Sequence, residues 1–167
     1  MKVLVTYASR HGSTRGIAER IAETIQRQGL EVSLRPIGQD GSVEQYDAYV
    51  IGSAAYMTSW LKEATAFVRA HERLLAGKPV WLFSSGPVGD GKSTRHPETV
   101  PHPDGVDQLA DEIGARGRAM FGGRVDSAQG GFAMAIMAKA GLEGDWRDLP
   151  RVRSWALEIA GVLRADA

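Results

Sequence analysis

Four short apolar runs constrain this chain more than any other feature: Val3-Leu4-Val5, Ala48 to Ile51, Val80 to Phe83, and Ala119 to Phe121. Strands covered on both faces have this uninterrupted apolar character, whereas strands with one wet face alternate. Segments of helical period lie between and after them. Ile17, Ala18, Ile21, Ala22 and Ile25 share one face; so do Trp60, Ala64, Phe67 and Val68; Val106, Leu109, Ala110 and Ile113; and Val152, Trp155, Ala156, Ile159 and Leu163. A further strand, with Val32 and Leu34 alternating against Glu31, Ser33 and Arg35, runs into Pro36 and reads as an edge. The order is strand, helix, strand, strand, helix, strand, helix, strand, helix. That alternation predicts an α/β fold: a parallel sheet covered by helices on both faces. Ligands of such sheets bind beyond the carboxyl ends of the strands, here the loops after Tyr7, Ile51 and Phe83.

Local signals place the boundaries. Gly29 ends the first helix, Ser59 and Asp104 are expected to cap the second and third, and Pro150 opens the last. A loop or short helix joins the second and third strands. The length of 167 residues predicts one domain over 1–167. Lys and Arg total 20 and Asp and Glu total 20, so there is no basic excess of the kind that phosphate-driven nucleic-acid binding uses. With 0 cysteines, disulfides, thiolate chemistry and Cys-ligated metals are excluded. The run after Met1 is too short for a secretory signal, and no stretch reaches the roughly 18 apolar residues of a spanning helix. The expected location is cytoplasmic.

The first loop carries the strongest chemical signal. Ser9-Arg10-His11-Gly12-Ser13-Thr14 lies between a strand and a helix start, where unpaired N–H groups and the helix dipole favour an anion. The hydroxyls of Ser9, Ser13 and Thr14 add donors, and Gly12 lets the backbone close around a phosphate. The same residue types are common in turns that bind nothing.

This loop resembles the T-x-T-G-x-T pattern of flavodoxins, with Ser9 in place of the first Thr and His11 in place of the middle one. The resemblance covers nearly the whole chain in element order. It implies a flavodoxin-like, doubly wound five-stranded parallel sheet of order 2-1-3-4-5. It also implies FMN as cofactor, with its phosphate in the Ser9–Thr14 loop. By the same resemblance, Ser53, Ala54, Ala55 and Tyr56 border one side of the ring, and Tyr56 is the aromatic candidate for stacking. Trp60 shares a helical face with Ala64 and Phe67 and reads as core. Ser85, Gly86, Pro87, Val88 and Gly89 border the other side, without the aromatic residue many flavodoxins place there.

Three further features bear on function. Gly86 to Ser93 matches the Walker A pattern G-x-x-x-x-G-K-[ST], the signature of a P-loop nucleotide hydrolase. Pro97, Pro101 and Pro103 follow, however, and deny the helix that a phosphate loop needs, so the match reads as coincidental. His96 and His102 have no third partner and read as solvated loop histidines rather than metal ligands. The segment Gly130 to Gly141 is apolar and Met-rich. It suits a buried covering helix, or a surface at Phe132–Met137 for a quinone, a membrane or a partner. That segment, with Phe121-Gly122-Gly123-Arg124, Gly144-Asp145-Trp146-Arg147-Asp148 and Trp155, resembles the menaquinone-dependent protoporphyrinogen oxidases, a flavodoxin-like subgroup. The stretch Val125 to Gln129 lacks the positive charge common in that subgroup.

The expected function is an FMN-binding redox protein that passes electrons or hydride equivalents to a quinone or a protein acceptor. Zero net charge favours a small oxidoreductase over a purely acidic electron carrier. Protoporphyrinogen IX dehydrogenase is the sharper alternative. A flavin-free interaction domain and the P-loop hydrolase are the alternatives of other classes. No residue stands out as a catalytic acid, base or nucleophile.

Overall fold

The computed structural model describes residues 1–39, 41–56, 58–86, 101–126, 135–136, 139 and 143–167. Strand β1 (Lys2–Ala8), helix α1 (Ser13–Arg27), β2 (Glu31–Pro36) and β3 (Ala48–Tyr56) come first. They are followed by β4 (Ser59–Trp60), α2 (Lys62–Ala70), α3 (Glu72–Leu75) and β5 (Val80–Gly86). Helix α4 (Val106–Glu112), β6 (Gly117–Gly122), β7 (Arg124–Val125), β8 (Gly144–Asp145) and α5 (Leu149–Ala165) complete the order. The five long strands are parallel and lie in the order β2-β1-β3-β5-β6. This is the order expected from the flavodoxin resemblance, with β4 added as a two-residue strand antiparallel to β3.

Strand residues alternate between two cores, which is why the runs are apolar throughout. Val3, Val5, Val50, Phe83 and Phe121 point toward α1 and α5 and pack with Ile17, Ile21, Ile25, Val152, Ala156 and Ile159. Leu4, Tyr49, Ile51 and Leu82 point the other way and pack with Leu61, Ala64, Val68, Leu75, Val106 and Ile113. Each strand thus needs both its odd and its even positions apolar. Strand β2 is paired on one side only, the edge expected, but the covered face predicted for it is not uniform: Val32 packs against the core while Leu34, two residues on, is exposed. Gly29 follows α1 with φ 84°, the left-handed geometry that a helix stop uses. Asp148 caps α5 by accepting the Arg151 N–H, with Pro150 in the first turn.

Two expected caps are corrected. Ser59 does not cap a helix: it pairs with Tyr56 in the β3–β4 hairpin, and α2 starts after Leu61. Asp104 does not cap α4, whose N-cap is Gly105 at φ 78°. Its carboxylate instead accepts the Thr58 hydroxyl at 2.6 Å, while its N–H donates to the Thr58 carbonyl at 2.6 Å. Thr58 has φ 72°, a left-handed conformation costly for a β-branched residue, and Asp104 supplies two bonds that hold it. The link between β2 and β3 contains no helix among its described residues. It is tied down by the buried Tyr49 hydroxyl, which donates to the Val43 carbonyl at 2.5 Å.

Candidate functional site

The carboxyl ends of β1, β3, β5 and β6 meet around the start of α1. Gly12 is the N-cap residue, with φ 79°, and among the described residues, its chain neighbours aside, no heavy atom lies within 4 Å of the place a Cβ would take. The space beside it is therefore open. Its N–H donates to Ser9 Oγ at 3.1 Å, which folds the loop back on itself. The helix opens with no side-chain cap and no acidic residue in its first turn. First-turn N–H groups have no intrahelical acceptor, so this end presents donors and positive potential.

Ser13 and Thr14 point inward. Thr14 is fully buried and its hydroxyl lies 2.6 Å from that of Ser85 at the end of β5. Ser13 Oγ accepts the Arg124 N–H at 2.8 Å. The Gly123 N–H donates to the Gly86 carbonyl at 2.7 Å, and the Trp146 N–H donates to the Gly123 carbonyl at 3.0 Å. These bonds lock the α1 start to β5 and to the chain leaving β6. The approach at β6 demands glycine: a Cβ on Gly122 would stand 2.0 Å from the Trp146 carbonyl oxygen. One on Gly123 would stand 3.1 Å from the Gly86 carbonyl group.

On the other flank, Arg10, His11 and Tyr56 form a cluster. The Arg10 guanidinium sits 5.6 Å from the Tyr56 ring centroid, and the His11 ring lies 6.2 Å from the same ring. Tyr56 is half-buried, and burial pushes its phenol above the ordinary 10.0 against an opposing pull from Arg10. The phenol therefore stays a neutral donor at neutral pH.

The sequence-predicted residues thus divide. Ser9, Arg10, His11, Gly12 and Tyr56 meet around the first loop, and Thr14 meets Ser85. Ala55 reaches Gly86, where its Cβ lies 3.4 Å from the place a Cβ would take. Ser53 is fully buried: its hydroxyl donates to the Ala54 carbonyl at 2.9 Å and accepts the Leu61 N–H at 3.1 Å. Trp60 is core, as expected, and its Nε1 donates to Ser84 Oγ at 2.7 Å. Pro87, Val88 and Gly89, most of the Walker-like stretch, His96, and most of the Met-rich segment lie outside the described residues. Arg124 and Trp146 were not read as site residues; the adjacent Gly122-Gly123 pair was the available signal of close approach.

The donor set fits the phosphate of FMN. It combines an open left-handed glycine, first-turn N–H groups and hydroxyls, with no carboxylate in the loop. Among the described residues, no group of His, Asp and Glu could hold a metal ion, and no helix is long and apolar enough to cross a membrane.

A family model described as a flavodoxin domain matches residues 4–140, and the chain belongs to that family. Protoporphyrinogen IX dehydrogenase [quinone] of Escherichia coli K12 is 27% identical over 101 residues, covering 59% of this chain and 56% of that protein. The chain thus matches little more than half the length of this curated relative. Among solved structures, a flavodoxin from the Archaea superposes with a TM-score of 0.62 at 17% identity, covering 98% of this chain and 99% of that one. The rubredoxin oxygen:oxidoreductase of Desulfovibrio gigas gives 0.62 at 17% identity, over 98% of this chain and 36% of that one. The two-electron reduced flavodoxin of Megasphaera elsdenii gives 0.58 at 22% identity, over 71% of this chain and 84% of that one.

Proposed function

We propose that this single-domain chain is an FMN-dependent redox protein that passes electrons or hydride equivalents to a quinone or a protein acceptor. The observation that carries this reading is the start of α1: an open glycine loop rich in donors and free of carboxylates, bonded directly to the end of β5. In this reading the backbone N–H groups and the hydroxyls of the Ser9–Thr14 loop, with the α1 dipole, hold the cofactor's phosphate. Tyr56 and the Ala54–Ala55 backbone border the ring on one side, and Ser85 to Gly89 on the other. When bound, FMN supplies the redox chemistry. The protein contributes position and electrostatics. The Thr14–Ser85 bond fixes the distance between the phosphate loop and β5, and the Arg10–Tyr56 contact fixes the aromatic wall.

Titrating apo-protein with FMN tests this directly. Saturable quenching of flavin fluorescence with a shifted visible band is the expected result, and absence of binding overturns it.

Oxidation of protoporphyrinogen IX with a quinone acceptor is the sharper reading. The Escherichia coli relative supports it, and so does the closure of the chain after β6 around Gly122, Gly123 and Trp146, which belong to the segments that resemble the menaquinone-dependent subgroup. Anaerobic incubation of FMN-loaded protein with protoporphyrinogen IX and menaquinone should then yield fluorescent protoporphyrin. No product above the protein-free rate removes this reading while leaving the redox assignment intact.

A further inference from the structure

Arginines near the carboxyl edge of the sheet are mostly satisfied within the fold. Arg15 pairs with Glu19, Arg124 with Asp126 and Arg147 with Asp145. Arg151 donates to the Met120 carbonyl at 2.7 Å. Arg10 differs. It is exposed and, among the described residues, has no carboxylate within ion-pair distance. Its one described contact is the face of Tyr56, which holds the guanidinium over the ring.

The surroundings of Arg10 share this character. The Tyr56 hydroxyl makes no hydrogen bond among the described residues, and His11 contributes a ring contact to Tyr56 but no hydrogen bond. A guanidinium, a phenol and an imidazole thus converge with no carboxylate to pair with among the described residues. An arginine fixed in place by stacking loses less freedom when it binds an anion than a freely rotating side chain does. A planar carboxylate matches its fork.

The geometry points to Arg10, carried on Tyr56 beside His11, as the specificity determinant for an anionic, carboxylate-bearing substrate at the redox site. This inference rests on the proposed FMN function. The shared chemistry is an anion on Arg10. That anion has two sources, the cofactor's own phosphate and a substrate carboxylate, and the inference commits to the second.

The test uses FMN-loaded wild type, Arg10→Gln and Arg10→Lys, each reduced anaerobically before mixing. Two acceptors share one ring system: 3-(2-carboxyethyl)-2-methyl-1,4-naphthoquinone and its methyl ester. Each quinone takes two electrons from the reduced protein and two protons, and leaves as the hydroquinone. The wild type should prefer the acid over the ester in kcat/KM. Arg10→Gln should reduce that preference about tenfold, chiefly through KM, and Arg10→Lys should retain part of it. Raising salt from about 0.02 M to about 0.5 M should narrow the wild-type preference and leave the Arg10→Gln ratio flat. In parallel, the affinities of apo-protein for FMN and for riboflavin are measured in each variant.

An unchanged acid-to-ester ratio in Arg10→Gln overturns the inference. So does a loss confined to FMN over riboflavin, which would make Arg10 a phosphate ligand. Failure of wild-type protein to bind FMN removes the underlying reading and the inference with it. Normal FMN uptake without discrimination removes the inference alone.

Discussion

Two groups of hydroxyl-bearing residues sit at the carboxyl ends of the strands, and they behave differently. Ser53 and Ser84 are fully buried: Ser53 binds Leu61 and Ala54, and Ser84 receives the Trp60 indole. Ser9, by contrast, is half-buried in a loop with open space beside Gly12. The same residue type serves as internal scaffolding on β3 and β5 and as a half-buried loop hydroxyl after β1. What separates them is whether a neighbouring element needs the hydroxyl. Strand ends flanked by the β4 hairpin do; among the described residues, the Ser9 hydroxyl bonds only Gly12 of its own loop. Substitutions on the closed side should therefore read out in stability, and those on the open loop in affinity.

The largest effect is expected at Gly52. A Cβ there would lie 2.0 Å from Cζ of Phe83, which is fully buried and has no room to retreat. Gly52→Ala should cost about 3 kcal/mol in urea unfolding, the upper range for overpacking. A cost near zero would show that the sheet accommodates the methyl group and that the closed side is less rigid than its packing indicates.

Thr14 stands at the border of the two regions. Thr14→Val keeps the shape but strands the buried Ser85 hydroxyl, and should cost about 1–3 kcal/mol. It should also weaken FMN binding, because the loop loses its tie to β5. Restoring stability with Thr14→Val plus Ser85→Ala, without restoring affinity, would separate the two roles.

His102 offers a pH readout on the closed side. Contrary to the solvated loop histidine expected, its Nδ1 is buried, without a hydrogen-bond partner among the described residues, and burial holds its pKa below the ordinary 6.5, with Asp107 pulling upward and Arg118 downward. The unfolded chain therefore takes up this proton first as pH falls. The contribution is fully present above about pH 6.5 and is lost as pH falls through the folded value. His102→Phe should flatten the pH dependence of stability in that window; an unchanged slope would show that His102 does not set it.

The smallest stability effect belongs to the open loop. Ser9→Ala should change unfolding by less than about 1 kcal/mol, since its bond to Gly12 is exposed. Its FMN affinity should fall severalfold. His11→Thr should keep or strengthen FMN binding, and a marked loss would contradict that.

The sheet was legible in the sequence because two-sided burial leaves an uninterrupted apolar run, and the helices because their faces repeat at 3.6 residues. Elements of two residues carry no period. Ser59–Trp60 therefore read as the start of a helix, and Arg124–Val125 with Gly144–Asp145 gave no strand signal. Asp104 illustrates a second limit: its residue type suits a cap, but its partner, Thr58, lies 46 positions away in sequence. The first loop of the site was readable because helix-start chemistry is local. The fate of Ser53 was not, because it depends on Leu61 arriving through a hairpin.

The central claim is that the α1 start holds a phosphate. Calorimetric titration of the same apo-protein with FMN and with riboflavin tests it most directly, since the two differ only in that group. FMN should bind about a hundredfold tighter, the equivalent of roughly 2.7 kcal/mol and within reach of charge-assisted hydrogen bonds. Equal affinity for the two, or no binding of either, would contradict the account.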